Sequence, residues 1–108
     1  MDYTLREEDD TLIVDPEGRL DTESAPAFGE ALASLLQRHP HRCLIDMSRV
    51  EFLSSSGLQV LLAGAKTSQH EAIDFGVFGM NEMVEEIFTL SGFDRFIPHY
   101  PDEAKALA

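Results

Sequence analysis

The chain has 108 residues, 44% apolar and 26% charged, the composition of one packed domain and not of a disordered segment. Twenty acidic residues against eight basic ones give a net charge of −12, which repels phosphate backbones and anionic membranes and argues against nucleic-acid binding. The same charge favours a partner with a basic contact face, or simply keeps the domain soluble.

Cys43 is the only cysteine, so no internal disulfide can form, and within Cys43-Leu44-Ile45 it reads as a small buried thiol. Met1-Asp2-Tyr3-Thr4 lacks the basic region and apolar run of a signal peptide. No apolar stretch approaches the about 20 residues that span a bilayer. These features lead us to expect a cytoplasmic domain, residues 1–108 as one unit, with no membrane insertion.

Tyr3 and Leu5 alternate with polar residues and predict a short first strand. Glu7-Glu8-Asp9-Asp10 is a polar turn. Leu12, Val14, Pro16, Gly18 and Leu20 recur at period two and predict a second strand, hairpinned to the first. Pro16 cannot donate to a ladder and belongs at a bulge or an edge. A helix follows, with Thr22 and Ser24 as candidate N-caps and Pro26 in the first turn. Its apolar face is Phe28, Leu32, Leu35 and Leu36, and Pro40 ends it.

Residues 43–47 form a short apolar run and read as a buried strand. The connection Ser48 to Gly57 leads into a helix that begins at about Ser55 or Ser56. That helix carries Leu58, Leu61, Leu62 and Ala65 on one face. Ile73 to Phe78 predicts another strand. Asn81 caps a third helix with the face Val84, Ile87, Phe88 and Leu90, and Gly92 stops it. Arg95-Phe96-Ile97 reads as a last strand ended by Pro98, and Asp102 to Ala108 as a final short helix. The expected fold class is α/β: a single domain with a mixed four- to five-stranded sheet, a leading β-hairpin and about four helices. The expected core includes Leu32, Leu35, Leu44, Ile45, Leu61, Leu62, Val77, Ile87 and Phe88.

In such sheets functional groups gather where strands end and helices begin. Ser54-Ser55-Ser56-Gly57 lies at such a junction. Serine caps helices because its oxygen accepts a free N–H of the first turn. Capping alone could account for all three serines. The same place also suits a phosphoserine, whose charge of about −1.5 to −2 is favoured by the free N–H groups and the dipole of a helix N-terminus. Phosphate there leaves the fold intact and changes the surface, as a reversible binding switch requires. Gly57 leaves space for close approach.

Enzymatic readings find little support. Gly-x-Ser-x-Gly and the phosphate-binding loop Gly-x-x-x-x-Gly-Lys-Ser/Thr are both missing, and no base is paired with a nucleophile. Gly76-Val77-Phe78-Gly79 is too short for a nucleotide motif. His39, His41, His70 and His99 lack metal-ligand spacing, and Glu7 to Asp10 lacks the glycine and spaced ligands of a calcium loop. No catalytic residue, metal or cofactor is expected.

The stretch Ile45-Asp46-Met47-Ser48-Arg49-Val50-Glu51-Phe52-Leu53-Ser54-Ser55-Ser56-Gly57-Leu58-Gln59-Val60-Leu61-Leu62 resembles the signature of the STAS family, named for sulfate transporters and anti-sigma-factor antagonists. Gly18-Arg19-Leu20-Asp21 with Ala25-Pro26 resembles the family's approach to its first helix. Leu90-Ser91-Gly92-Phe93-Asp94-Arg95-Phe96 resembles its third-helix exit. The resemblance implies a non-enzymatic antagonist that binds an anti-sigma factor serine kinase, is released by phosphorylation of the serine before the glycine, and is reset by a serine phosphatase. That serine corresponds to Ser56, with Ser55 and Ser54 as alternatives, and Asp21 matches an aspartate near it. The implied partner-binding residues are Asp21, Ser54, Ser55, Ser56, Gly57 and Leu58.

The family usually reads Asp-Ser-Ser-Gly or Asp-Ser-Thr-Gly, and this chain has Ser54 at the aspartate position. The change bears on kinase recognition, helix capping and partner choice. The alternative it keeps open is a non-phosphorylated STAS interaction subunit of a transporter, lipid-transport or signalling complex.

Overall fold

A computed structural model describes all residues from Met1 to Ala108. β1 (Asp2–Glu8) and β2 (Thr11–Leu20) form an antiparallel hairpin from Asp2↔Glu17 to Glu8↔Thr11. Its two-residue turn, Asp9-Asp10, has φ of 52° and 41°, as a hairpin with right-handed strand twist demands. α1 (Ala25–Leu36), β3 (Arg42–Asp46), β4 (Val50–Leu53), α2 (Ser55–His70), β5 (Asp74–Phe78) and α3 (Glu82–Leu90) follow. A 3₁₀ turn (Phe93–Arg95), β6 (His99–Tyr100) and α4 (Glu103–Leu107) complete the chain.

The sheet runs β1-β2-β3-β5-β6, with β3, β5 and β6 parallel to β2, and a sixth strand, β4, paired to β2 off this path. β2 is long enough to serve two partners in succession. Thr11–Val14 pair with β3, and Gly18–Leu20 pair with β4 after a register shift at Gly18/Arg19. Pro16 falls in the gap between the two ladders, where no N–H is needed on that edge.

β4 was expected to be part of a connection, and the last strand was expected at Arg95–Ile97. Instead Gly92, at φ 82°, releases the chain into the 3₁₀ turn, and Ile97 is buried. The ladder forms two residues later, with Val77↔His99 and Phe78↔Tyr100. Pro98 therefore precedes the strand rather than ending it, and its carbonyl accepts the Val77 N–H at 3.0 Å.

α1, α2 and α3 cover one face of the sheet. Between them lies a core of Leu12, Val14, Leu32, Leu35, Ile45, Leu61, Val77, Phe88 and their neighbours. Of the expected core, Leu62 and Ile87 are half-buried, and Leu90, expected on the packed face of α3, is 80% exposed. Val84 and Phe88, one turn apart, supply that face. Cys43 is fully buried, and burial pushes its thiol up to about 12, so it stays an inert hydrophobe.

The other face carries Ile13, Leu44 and Phe78 and is covered by Ala106 and Leu107 of α4. Arg6 fastens this side by donating to Asp46 Oδ2 at 3.0 Å and to Glu103 Oε1 at 2.7 Å. Asp15 is buried beside them with Oδ1 unbonded. Burial first, and the nearby Asp46 carboxylate second, push its pKa up.

Candidate functional site

Three of the segments singled out in the sequence meet at one end of the sheet: the β2–α1 turn, the end of β4 and the start of α2. Ser54 is extended, at φ −92° and ψ 175°, and is the N-cap of α2. Its N–H donates to Leu20 O at 3.0 Å, its carbonyl accepts the Leu58 N–H at 2.9 Å, and its Oγ accepts the Gly57 N–H at 3.2 Å. The chain thus passes from a strand bond to a helix bond within one residue. The first turn of any helix has free N–H groups, and Ser54 answers one of them.

Capping therefore belongs to Ser54, and the hydroxyl of Ser56 is not used for it. Ser56 Oγ lies 3.3 Å from Thr22 Oγ1 in the β2–α1 turn. Ser55 is exposed, while Ser54 and Ser56 are half-buried. Gly57 and Leu58 are buried. A Cβ on Gly57 would stand 2.6 Å from Leu20 O and 2.9 Å from both Leu20 Cγ and Leu53 Cδ1. The space expected at Gly57 is filled by this chain's own β2 and β4, and Leu58 anchors the helix in the core.

Asp21 holds the facing turn. Its Oδ1 accepts the N–H groups of Glu23 at 3.1 Å and Ser24 at 3.2 Å. Ser24 Oγ accepts the Asp21 N–H at 3.0 Å and donates to Arg19 O at 2.6 Å. The Ser24 N–H, then that of Glu23, the Ser24 hydroxyl and the Arg19 guanidinium hold the Asp21 carboxyl below its usual range. Ser24 is the positional N-cap of α1 but makes no side-chain cap, because its hydroxyl is spent on this turn. Asp21 reaches Ser56 only indirectly, through its neighbour Thr22.

Arg19 and Phe52 were not expected at the site. The Arg19 guanidinium lies 4.4 Å from the centre of the Phe52 ring, with Nε 3.6 Å from Asp21 Oδ2. Paired across β2 and β4, they place a cation on an aromatic ring beside the β2–α1 turn. Neither residue carries a local pattern that marks this pairing.

The arrangement offers hydroxyls, a helix N-terminus and a shaped turn. It suits an anion on a serine oxygen and contact with another protein. No helix is long and apolar enough to cross a membrane.

The STAS domain family matches residues 2–106. The anti-sigma-F factor antagonist RsfB of Mycobacterium tuberculosis is 32% identical over 78 residues, which cover 72% of this chain and 63% of RsfB. An anti-sigma F factor antagonist of Paenibacillus polymyxa is 27% identical over 97 residues, covering 89% of this chain and 83% of that protein. The crystal structure of an anti-sigma factor antagonist from Mycobacterium paratuberculosis superposes with a TM-score of 0.90 at 31% identity, covering 98% of this chain and 90% of the other.

Proposed function

Because the chain belongs to the STAS domain family, we propose that it is an anti-sigma factor antagonist working by partner switching. In its unmodified form it binds a cytoplasmic anti-sigma factor serine kinase through Asp21 and the serines Ser54, Ser55 and Ser56 at the start of α2, while the buried Gly57 and Leu58 hold that helix start in place. The kinase phosphorylates Ser56, the complex separates, and a serine phosphatase restores the binding form.

One observation carries this reading: capping falls to Ser54, so the Ser56 hydroxyl sits at a helix N-terminus free of the cap, bonded only to the Thr22 hydroxyl. Phosphate there meets the helix dipole and free N–H groups, a favourable interaction of about 0.3–1 kcal/mol. The fold has no reason to yield. The partner does, because it must accommodate a new dianion against the surface it contacts. Ser54 also supports the reading despite replacing the family's usual aspartate. Serine caps as well as aspartate does, so the helix start is retained while one charge is lost.

The test measures melting and kinase affinity together on unmodified, phosphorylated and Ser56→Asp protein, using the cognate anti-sigma factor serine kinase. Mass spectrometry should place the phosphate on Ser56, and Ser56→Ala should abolish it. Lost binding with an unchanged melt is the expected result. Unchanged binding in all three forms would leave a constitutive interaction subunit. Lost binding with a large fall in melting temperature would mean that Ser56 is structural after all.

A further inference from the structure

We propose that α3 and the turn after it form a second protein-docking surface, which takes a basic amphipathic helix of a partner. Its apolar part is the most exposed on the molecule. Leu90 is 80% exposed, Phe96 66% and Met83 50%. Met83, half-buried Ile87 and Leu90 stand at i, i+4 and i+7, the spacing at which one helix seats its ridge on another. Phe96 follows directly after the 3₁₀ turn and lines a groove with Ala65, Gln69, Ile73 and Phe75, so it extends the surface beyond α3 toward α2.

Ile87 packs partly on the core, but Met83, Leu90 and Phe96 are not needed there. Val84 and Phe88 already fill the packed face of α3, and Asn81 fixes the start of the helix by capping Val84 and donating to Val50 O at 3.2 Å. Exposed apolar groups gathered on one short segment of a single domain mark a contact surface.

The rim chooses among occupants. Glu82, Glu85, Glu86 and Asp94 are exposed on the same segment, against Arg95 alone. A second copy would bring the same carboxylates to its own contact, on a chain of net charge −12. An anionic lipid surface meets the same repulsion. A helix with apolar residues on one side and lysine or arginine on its flanks satisfies both the ridge and the rim. The surface shares no residue with the Asp21–Ser24 turn or the Ser54–Gly57 turn, so its occupancy is independent of phosphate at Ser56.

The test is an amide chemical-shift titration of the full ¹⁵N-labelled chain with two synthetic helical peptides of about five turns. Both carry leucine along one face. One has lysine flanks and the other glutamate flanks. The lysine peptide should shift residues 82–96 saturably, and the glutamate peptide should not. Leu90→Ser with Phe96→Ser, both surface changes, should weaken binding about ten-fold or more. Glu82→Lys with Glu86→Lys should reverse the preference between the peptides. Ser56→Asp should leave the titration unchanged. Shifts scattered over the whole acidic surface, or absent, would overturn the proposal. So would concentration-dependent self-association of the wild type that Leu90→Ser abolishes, in favour of a second copy. Binding to neutral phosphatidylcholine vesicles that the same variant abolishes would overturn it in favour of lipid.

Discussion

Gly57→Ala tests whether the start of α2 is held as tightly as its geometry implies. The added methyl would stand 2.6 Å from the Leu20 carbonyl oxygen, and that oxygen already accepts the Ser54 N–H at 3.0 Å. Backbone cannot rotate away as a side chain can. Leu20 Cγ and Leu53 Cδ1, both at 2.9 Å, close the remaining directions. The helix end has to lift, which strains the Ser54–Leu20 bond and draws Ser56 away from Thr22. Such overpacking costs about 1–3 kcal/mol, and replacing glycine by alanine in a helix returns about 0.5–1 kcal/mol. A net loss of up to about 2.5 kcal/mol remains, with about 1 kcal/mol at the middle of the range, and each kcal/mol lowers Tm by about 4–8 °C in a domain near this size. Gly29→Ala in α1 is the control, since its methyl would meet only the Val60 side chain, Cγ2 at 3.4 Å and Cγ1 at 3.8 Å. It should gain about 0.5–1 kcal/mol. Urea unfolding of the three proteins at one pH measures both changes. A Gly57→Ala protein as stable as wild type, with Gly29→Ala behaving as stated, would refute the close contact at the start of α2.

Ser54→Ala should lose about 1 kcal/mol through the missing cap, and Ser54→Asp should keep the cap and add about 0.3–1 kcal/mol through the dipole, both read by thermal melting at low salt. Leu61, fully buried on the inner face of α2, should cost about 2–5 kcal/mol on replacement by alanine, measured by denaturant midpoint. Asp15→Asn should raise Tm at pH 7. The folded state holds the Asp15 proton more tightly than the unfolded chain does, so ionising this carboxyl destabilises the fold as pH rises through its raised pKa. The benefit of asparagine should shrink as pH falls and Asp15 itself becomes neutral, and a melt series from acid to neutral pH checks the sign.

What could be read in the sequence was whatever had a local period or a local cap. Leu32, Leu35 and Leu36 on α1, Asn81 at the start of α3 and Gly92 after it all declare themselves within a few residues, and all sit as expected. β4 was missed because four residues are too few to show a period, and its only ladder is to the far end of β2. Phe96 was placed in a strand, but the ladder forms further along, where the Pro98 carbonyl accepts the Val77 N–H and the Tyr100 carbonyl accepts the Gly79 N–H. At the site, the cluster of serines was legible, and so was the presence of a cap. The division of labour between Ser54 and Ser56 was not, because it depends on Leu20 and on Thr22, each more than thirty residues earlier. The same distance in sequence hid Arg19 on Phe52.

The double ion pair of Arg6 also bears on the order in which the molecule assembles. Arg6 and Glu103 are 97 residues apart, and α4 has five residues, too few to persist as a helix alone. α4 can therefore settle only onto a sheet that already exists, after β1, β2, β3 and β5 have brought Ile13, Leu44 and Phe78 together. It is also the first element free to leave. When it opens, the α1–α3 side keeps its core, and the amides of residues 105–107 exchange with solvent long before those of β3 or α2. The domain thus has two clocks: a slow one set by the main core and a fast one at the chain's last helix, with Arg6 as the catch between them.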